Sequence, residues 1–306
     1  MSPNHSKLPI TVLLAVKNEA VNIARCLNAL DPVERVVVLD SQSEDETGSI
    51  AERLGAELVQ FEYKGGYPKK RQWALETIDI STPWVLLLDA DEIVPTALWD
   101  EISSAIADAD TPSAFMITKG YHFLGRRFRY GGFSFPAVLL FQRGVARFER
   151  LVYDSADALD MEVHERVVVD GSVGRLKTPL IHEDFKGLEA YIQRHNRYST
   201  WEAKLRYRYL TSGQYGEDTI RPRLYGNSQE RRRFLKELIT RLPFEHWVWF
   251  FYHYIVCLGI LEGRPGLIAS QIRASYIAQV RAKVYELGLA EGSRKEGRSS
   301  DHLPSK

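Results

Sequence analysis

The sequence predicts an α/β fold: a mostly parallel, Rossmann-like sheet flanked by helices, followed by a helical, aromatic-rich C-terminal extension. Three observations carry this. Apolar runs of strand length alternate with helix-length segments over the first 110 residues. Three of those runs end in, or close to, acidic residues. Beyond Lys186 the pattern turns helical and basic. Strands alternating with helices of this length argue for a parallel sheet with right-handed crossovers.

The elements follow in order. Ile10 to Val16 reads as a buried strand, followed by Lys17-Asn18-Glu19 and an amphipathic helix to about Leu30. Arg35 to Leu39 is a second strand, ending at Asp40; after a polar turn, Gly48 to Leu54 is helical. Leu58 to Phe61 is a short third strand, Pro68 to Ile78 a helix, and Trp84 to Leu88 a fourth strand, running into Asp89-Ala90-Asp91-Glu92. Pro95 to Ala107 is the next helix, with Pro at its start, where a missing N–H costs nothing. After Ala114 come strands at Phe115 to Ile117, Val138 to Gln142 and Val167 to Val169, separated by Gly- and Arg-rich loops.

The 306 residues suit one large domain with an appendage, or two domains. The boundaries expected are a nucleotide-binding and catalytic domain over 1–185, a basic helical extension over 186–287 and a disordered tail over 288–306. Zero net charge hides an asymmetry. Residues 1–110 carry 9 Lys/Arg against 19 Asp/Glu, and residues 186–241 carry 13 against 6. An acidic half can hold a metal, and a basic half can meet anions such as a membrane surface. Two cysteines form no framework, and the amino end lacks a signal pattern. A cytoplasmic location is therefore expected, with no nucleic-acid partner.

Phe244 to Leu261 stands apart. It is dense in aromatics, interrupted by Glu245, His246 and His253, and flanked by Arg231, Arg232, Arg233, Arg241 and Arg264. This fits an interfacial helix on the cytoplasmic face of the membrane, or a core helix, better than a span of ~20 apolar residues.

The chemistry lies at the strand ends. Asp89 and Asp91, two apart on extended backbone, point to the same side. Paired carboxylates suit a hard divalent cation that substrate phosphates complete. Asp40 and Glu19 end or follow neighbouring strands, where open α/β sheets bind ligands. No glycine-rich phosphate loop is present, so Lys69, Lys70 and Arg71 are candidates to neutralise a diphosphate.

These residues resemble a family, the inverting nucleotide-sugar glycosyltransferases of family 2, with the GT-A fold. The matches are Ala15-Val16-Lys17-Asn18-Glu19, Val38-Leu39-Asp40-Ser41-Gln42-Ser43-Glu44-Asp45 and Leu88-Asp89-Ala90-Asp91-Glu92. A closer likeness, to lipopolysaccharide inner-core β-1,4-glucosyltransferases, rests on Phe123-Leu124-Gly125-Arg126, Gly131-Gly132-Phe133, Val163-His164-Glu165, Leu180-Ile181-His182 and Gly263-Arg264-Pro265-Gly266. The resemblance implies a UDP-hexose donor, Mg2+ or Mn2+, and a cell-envelope glycan or glycolipid acceptor. It implies that Asp40 contacts uracil, that Glu19 lies near the nucleoside, that Asp89 lies near ribose and metal, and that Asp91 is the principal metal ligand. His182 is a candidate to complete the metal shell. Glu165 is the candidate base; the family's Glu-Asp stands here as His164-Glu165, and Glu162, Glu183 and Asp184 compete. The family's Gln/Arg-x-x-Arg-Trp motif is missing, and Arg194, Arg197 and Trp201 read as part of a solvated helix.

Three other readings remain. The acceptor could be an exopolysaccharide or lipid-linked intermediate. A D-x-D phosphohydrolase carries its nucleophile on the first strand of its domain, whereas here the motif follows the fourth. A non-catalytic sugar-nucleotide module would not need Asp40, Asp89, Asp91 and Glu165 together.

Overall fold

Strand β1 (Leu8–Val16) is buried along almost its whole length and lies between two parallel neighbours, β2 (Val33–Asp40) and β4 (Trp84–Asp89). Its unbroken apolar run follows from that position, since a central parallel strand is covered on both faces. The computed structural model describes residues 7–150, 160, 162, 165–213, 223–225, 234, 238–240 and 242–300, with side chains to residue 290. The chain divides into two units, Met1–Glu149 with Asp154–Gly187, and Arg150–Tyr153 with Leu188–Lys306.

The first unit is built on a mixed sheet. β3 (Glu57–Gln60) extends the parallel set beyond β2. β5 (Glu92–Ile93), β6 (Ala114–Phe123), β7 (Arg126–Arg127), β8 (Phe135–Gln142), β9 (Ala146–Phe148), β10 (Val167–Val169), β11 (Val173–Arg175) and β12 (Leu180–His182) follow. The main sheet runs β3-β2-β1-β4-β8-β6-β12-β5, and β9 and β10 form a separate ribbon. β8 joins antiparallel between β4 and β6, so the parallel half is continued by a mixed half beside the Asp89 strand. Helices α1 (Ile23–Asn28), α2 (Thr47–Arg53), α3 (Lys70–Thr77) and α4 (Thr96–Ala107) supply the crossovers. The fold class is the one expected, a mostly parallel α/β sheet flanked by helices with a helical C-terminal region.

Helix α1 is shorter than expected because residues 18–22 are committed elsewhere. Asn18 takes left-handed backbone, φ 53°, which Asn tolerates. Its amide donates to Ser43 Oγ at 2.8 Å, and its Oδ1 accepts from the Glu44 amide at 2.9 Å. The Glu19 amide donates to Thr47 Oγ1 at 2.7 Å, and the Ala20 amide to Asp45 Oδ2 at 3.1 Å. The loops after β1 and β2 are thus stitched together.

The second unit contains α5 (Gly187–Ser212), α6 (Glu245–Phe251) and α7 (Gly263–Ser300). Helix α5 is not simply solvated: Trp201, Glu202, Ala203, Leu205 and Arg206 are buried. The small core joins Ala203 to Tyr276, Ile277 and Val280 of α7. A charged cluster lies beside it. Arg206 donates to Glu202 Oε1 at 2.9 Å and to Glu245 Oε2 at 2.8 Å, and Tyr276 Oη donates to Glu202 Oε2 at 2.6 Å. The tail, expected to be without structure from residue 288, continues as helical backbone to Ser300.

Candidate active site

The parallel register places the acidic strand ends side by side. Val16 pairs with Asp40, and Ala15 pairs with Asp89, so β1 is flanked on both sides by strands ending in aspartate. β5 then pairs antiparallel with β12, with Glu92 opposite His182. That pairing brings His182 Nε2 to 3.3 Å from Asp91 Oδ2, although ninety-one residues separate them in sequence. The Glu183 amide donates to the Asp91 carbonyl at 2.9 Å and fixes the strand end. Burial pushes the His182 imidazole down, but the Asp91 carboxylate outweighs it and brings it up to about 8.

Asp89 is engaged by two cations. Its two oxygens are occupied, Oδ1 by Arg71 Nη2 and Oδ2 by Lys119 Nζ at 2.8 Å. Burial alone would raise its carboxyl; the Arg71 and Lys119 cations outweigh that and hold it well below the usual carboxylate range. Lys119 also pairs with the fully buried Glu92 at 2.6 Å. Asp89 is therefore a partner of cations here, and the carboxylate that meets an imidazole is Asp91.

Lys70 and Arg71, expected to face a diphosphate, turn inward instead. Lys70 is 1 % exposed; its Nζ donates to the Val16 carbonyl at 2.8 Å and lies 3.3 Å from Asp160. Arg71 is buried; its amide donates to Glu162 Oε2 at 3.2 Å. Lys69 pairs with Glu165 at 2.5 Å, and both side chains are almost wholly enclosed. The three cations at the start of α3 thus meet Asp160, Glu162, Glu165 and Asp89. Desolvating so many cations is tolerable only because each meets a carboxylate.

Glu165, the expected base, accordingly sits closed against Lys69 rather than open at the edge. Glu162 accepts from the Arg71 and Gln72 amides, Glu183 pairs with Arg25 at 3.2 Å, and Asp184 accepts from Asn22 at 2.9 Å. His164 lies outside the described residues. Asp40 is buried and holds its own loop, accepting from Ser43 Oγ at 2.5 Å and Gln60 Nε2 at 3.0 Å. Glu19 lies at the same edge, held by Lys186 at 2.6 Å and by Asn22 at 2.9 Å.

Sequence reasoning missed Lys119, Lys186 and Asn22. Lys119 alone carried a signal: a lone Lys inside the apolar strand Phe115 to Phe123 needs an anion. Lys186 and Asn22 carried none.

Among the described residues no group of three or more His, Cys, Asp or Glu side chains is arranged to hold a metal ion. Asp91 and His182 offer one oxygen and one nitrogen donor. His182 Nδ1 is a buried atom without a hydrogen-bond partner among the described residues. This donor set fits a cation that takes its remaining ligands from water and phosphate, and not a closed all-protein cage.

Fold and edge together define a class, and sequence comparison names it. Residues 11–155 match the profile of Glycosyl transferase family 2, so the chain carries that family's domain and is a glycosyltransferase. It is 26 % identical over 287 residues to the lipopolysaccharide core biosynthesis glycosyltransferase LpsC of Rhizobium meliloti (strain 1021), covering 92 % of this chain and 93 % of the relative. An uncharacterized glycosyltransferase of Rickettsia bellii (strain RML369-C) is 28 % identical over 290 residues, covering 92 % and 87 %. Among solved structures, glucosyl-3-phosphoglycerate synthase from Mycobacterium tuberculosis, in complex with Mn2+, UDP and glucosyl-3-phosphoglycerate, aligns at 24 % identity with a TM-score of 0.31, over 38 % of this chain and 45 % of that one.

Proposed function

We propose that this glycosyltransferase moves a hexose from a UDP-hexose to a hydroxyl of a bacterial cell-envelope glycan or glycolipid, with inversion at the anomeric carbon. The observation that carries the donor side is the Asp91–His182 pair at the carboxyl edge of the sheet, next to the Asp40 and Glu19 loops. Asp91 and His182 would hold Mg2+ or Mn2+, which supplies neutralisation of the charge developing on the leaving diphosphate. Lys119 and Arg71 hold Asp89 and keep the strand end rigid. The 17–19 and 41–47 loops, stitched to each other, would bind the nucleoside.

The acceptor side rests on the match to a lipopolysaccharide core glycosyltransferase over nearly the whole chain. An exopolysaccharide or lipid-linked acceptor is the alternative within the same reaction. Glu165 is the base in this reading: it takes the acceptor hydroxyl proton as that oxygen bonds to the anomeric carbon and the diphosphate leaves with the electrons of the broken bond. Its enclosure with Lys69 favours a second reading, in which the pair is structural and another acid accepts the proton. A glycolipid acceptor would place the enzyme at the cytoplasmic face of the membrane.

Release of UDP from a panel of UDP-sugars, with Mn2+ or Mg2+ and then with chelator, tests the donor side. Slow metal-dependent hydrolysis of one UDP-hexose is expected; hydrolysis that survives chelation overturns the metal assignment. Glu165→Gln should bind UDP normally and lose transfer. Unimpaired transfer would make the Lys69–Glu165 pair structural.

A further inference from the structure

The aromatic segment expected to form one helix is broken. Helix α6 runs into a single π-helical turn, Tyr252–Val256, and stops. Leu258 takes left-handed backbone, φ 59°, and a 3-10 turn, Gly259–Glu262, leads into α7. The two arms, Glu245–Val256 and Gly259–Ala290, are bent by 70°. No single helix among the described residues is long and apolar enough to cross a membrane, but this bent pair passes the same test as a broken or re-entrant segment.

Polarity at the bend is inverted relative to a soluble surface. Phe251, Ile255, Val256, Leu258, Ile260 and Leu261 are each between 46 and 70 % exposed. Exposed apolar side chains grouped this closely along the chain mark an interaction or membrane site. No Asp, Glu, Lys or Arg occurs from residue 246 to 261. The two carboxylates that bracket the stretch are turned inward: Glu245 is fully buried on Arg206, and Glu262 is 2 % exposed. Trp247 and Tyr252 stand about half exposed nearby, and the exposed Arg264 follows the bend. An aliphatic tip, an aromatic collar and a cationic flank repeat the order from hydrocarbon to headgroup.

Several backbone groups at the break are satisfied internally. Hydrocarbon cannot hydrogen-bond a free peptide group, so a chain that enters it must satisfy its own. Through the break, the Cys257 amide donates to the Tyr252 carbonyl at 2.8 Å, Leu258 to Ile255 at 3.1 Å, and Leu261 to Leu258 at 3.0 Å.

We propose that the 251–261 bend enters the acyl region of one leaflet as a re-entrant tip, rather than lying flat on the surface. This deepens the reading of a membrane-borne acceptor and rests on it. The tip would hold the enzyme at the depth from which glycolipid headgroups emerge.

Cys257 lies in the bend and is partly accessible, whereas Cys26 is buried, so a polarity-sensitive fluorophore can be placed on Cys257 of the full chain. The labelled protein is mixed with vesicles of phosphatidylethanolamine and phosphatidylglycerol carrying a spin label either on the headgroup or deep in the acyl chain. The expected result is blue-shifted emission, quenched more strongly by the acyl-chain label. Emission unchanged by vesicles, or quenched best from the headgroup, overturns the proposal. So does a blue shift without lipid that grows with protein concentration, which would make a second copy the occupant. Val256→Glu with Ile260→Glu should weaken vesicle co-sedimentation by about tenfold or more. UDP-hexose hydrolysis is read on the same samples and should not change. Hydrolysis without insertion overturns this inference alone; insertion without hydrolysis overturns the reaction alone.

Discussion

Both units bury paired charges, but they leave different groups facing outward. At the sheet edge of the first, five cations, Lys69, Lys70, Arg71, Lys119 and Lys186, are spent on the acids around them, and among the described residues the Asp91 carboxylate meets the imidazole of His182. In the second, the charges are buried together, Arg206 with Glu202 and Glu245, while apolar side chains face outward at the bend. Within residues 1–110, Glu19, Asp89 and Glu92 are met by cations, two of which, Lys119 and Lys186, come from later in the chain. The comparison teaches that a charge's role is read from its partner: a paired, enclosed charge holds structure, and a group left with unused bonding capacity marks a site.

The comparison can be broken at its strongest point first. Asp91→Ala should lower donor turnover by about a hundredfold or more while the thermal midpoint stays near that of the parent, since the loss is of charge stabilisation on the diphosphate. A large drop in the melting midpoint would make Asp91 one more structural charge. Next, Glu245→Gln should destabilise the second unit by about 3–5 kcal/mol, because Arg206 is left in a dry site with half its compensation. Urea unfolding followed by Trp fluorescence measures it, and a change near zero would show the cluster to be well solvated.

His195 sharpens the same contrast through pH. It is largely buried, stacked on Tyr191 at 3.9 Å, and burial together with nearby Arg194 and Arg273 brings it down to about 4. The unfolded chain binds a proton below about 6.5 that the native imidazole refuses. Stability should therefore fall as pH drops from about 6.5 to about 4, by up to about 3 kcal/mol, and His195→Phe should flatten that slope. Melting curves across that range decide it. The smallest effect belongs to the bend: Val256→Ser should shift stability by no more than about 0.5 kcal/mol, as for any exposed side chain away from the core. A loss of 2 kcal/mol or more would mean that the bend is packed against something.

Much of this was legible in sequence, for physical reasons. Central parallel strands must be apolar throughout, so β1, β2 and β4 announce themselves, and carboxylates that end them announce the edge. That Glu19, Asp40 and Asp91 lie at one edge of the sheet follows from those strand ends. The inward turn of Lys70 and Arg71 was not legible, because their partners Asp160 and Glu162 lie ninety and ninety-one residues away and nothing local reports the pairing. The engagement of Asp89 was hidden for the same reason: Lys119 reaches it from another strand. The helix break had a local signal that went unread. A Cβ on Gly259 would lie 2.6 Å from the His253 carbonyl oxygen, and one on Gly266 would lie 2.0 Å from the Gly259 oxygen, so the two glycines fold the bend back on itself.

Binding of Mn2+ in the presence of UDP, read from the loss of the free-ion paramagnetic resonance signal, tests the central claim without any turnover. Asp91→Ala and His182→Ala should each weaken Mn2+ binding by about tenfold or more, while Asp89→Asn, whose parent side chain already serves Arg71 and Lys119, should retain it. Mn2+ binding that survives in Asp91→Ala and vanishes in Asp89→Asn would contradict the account.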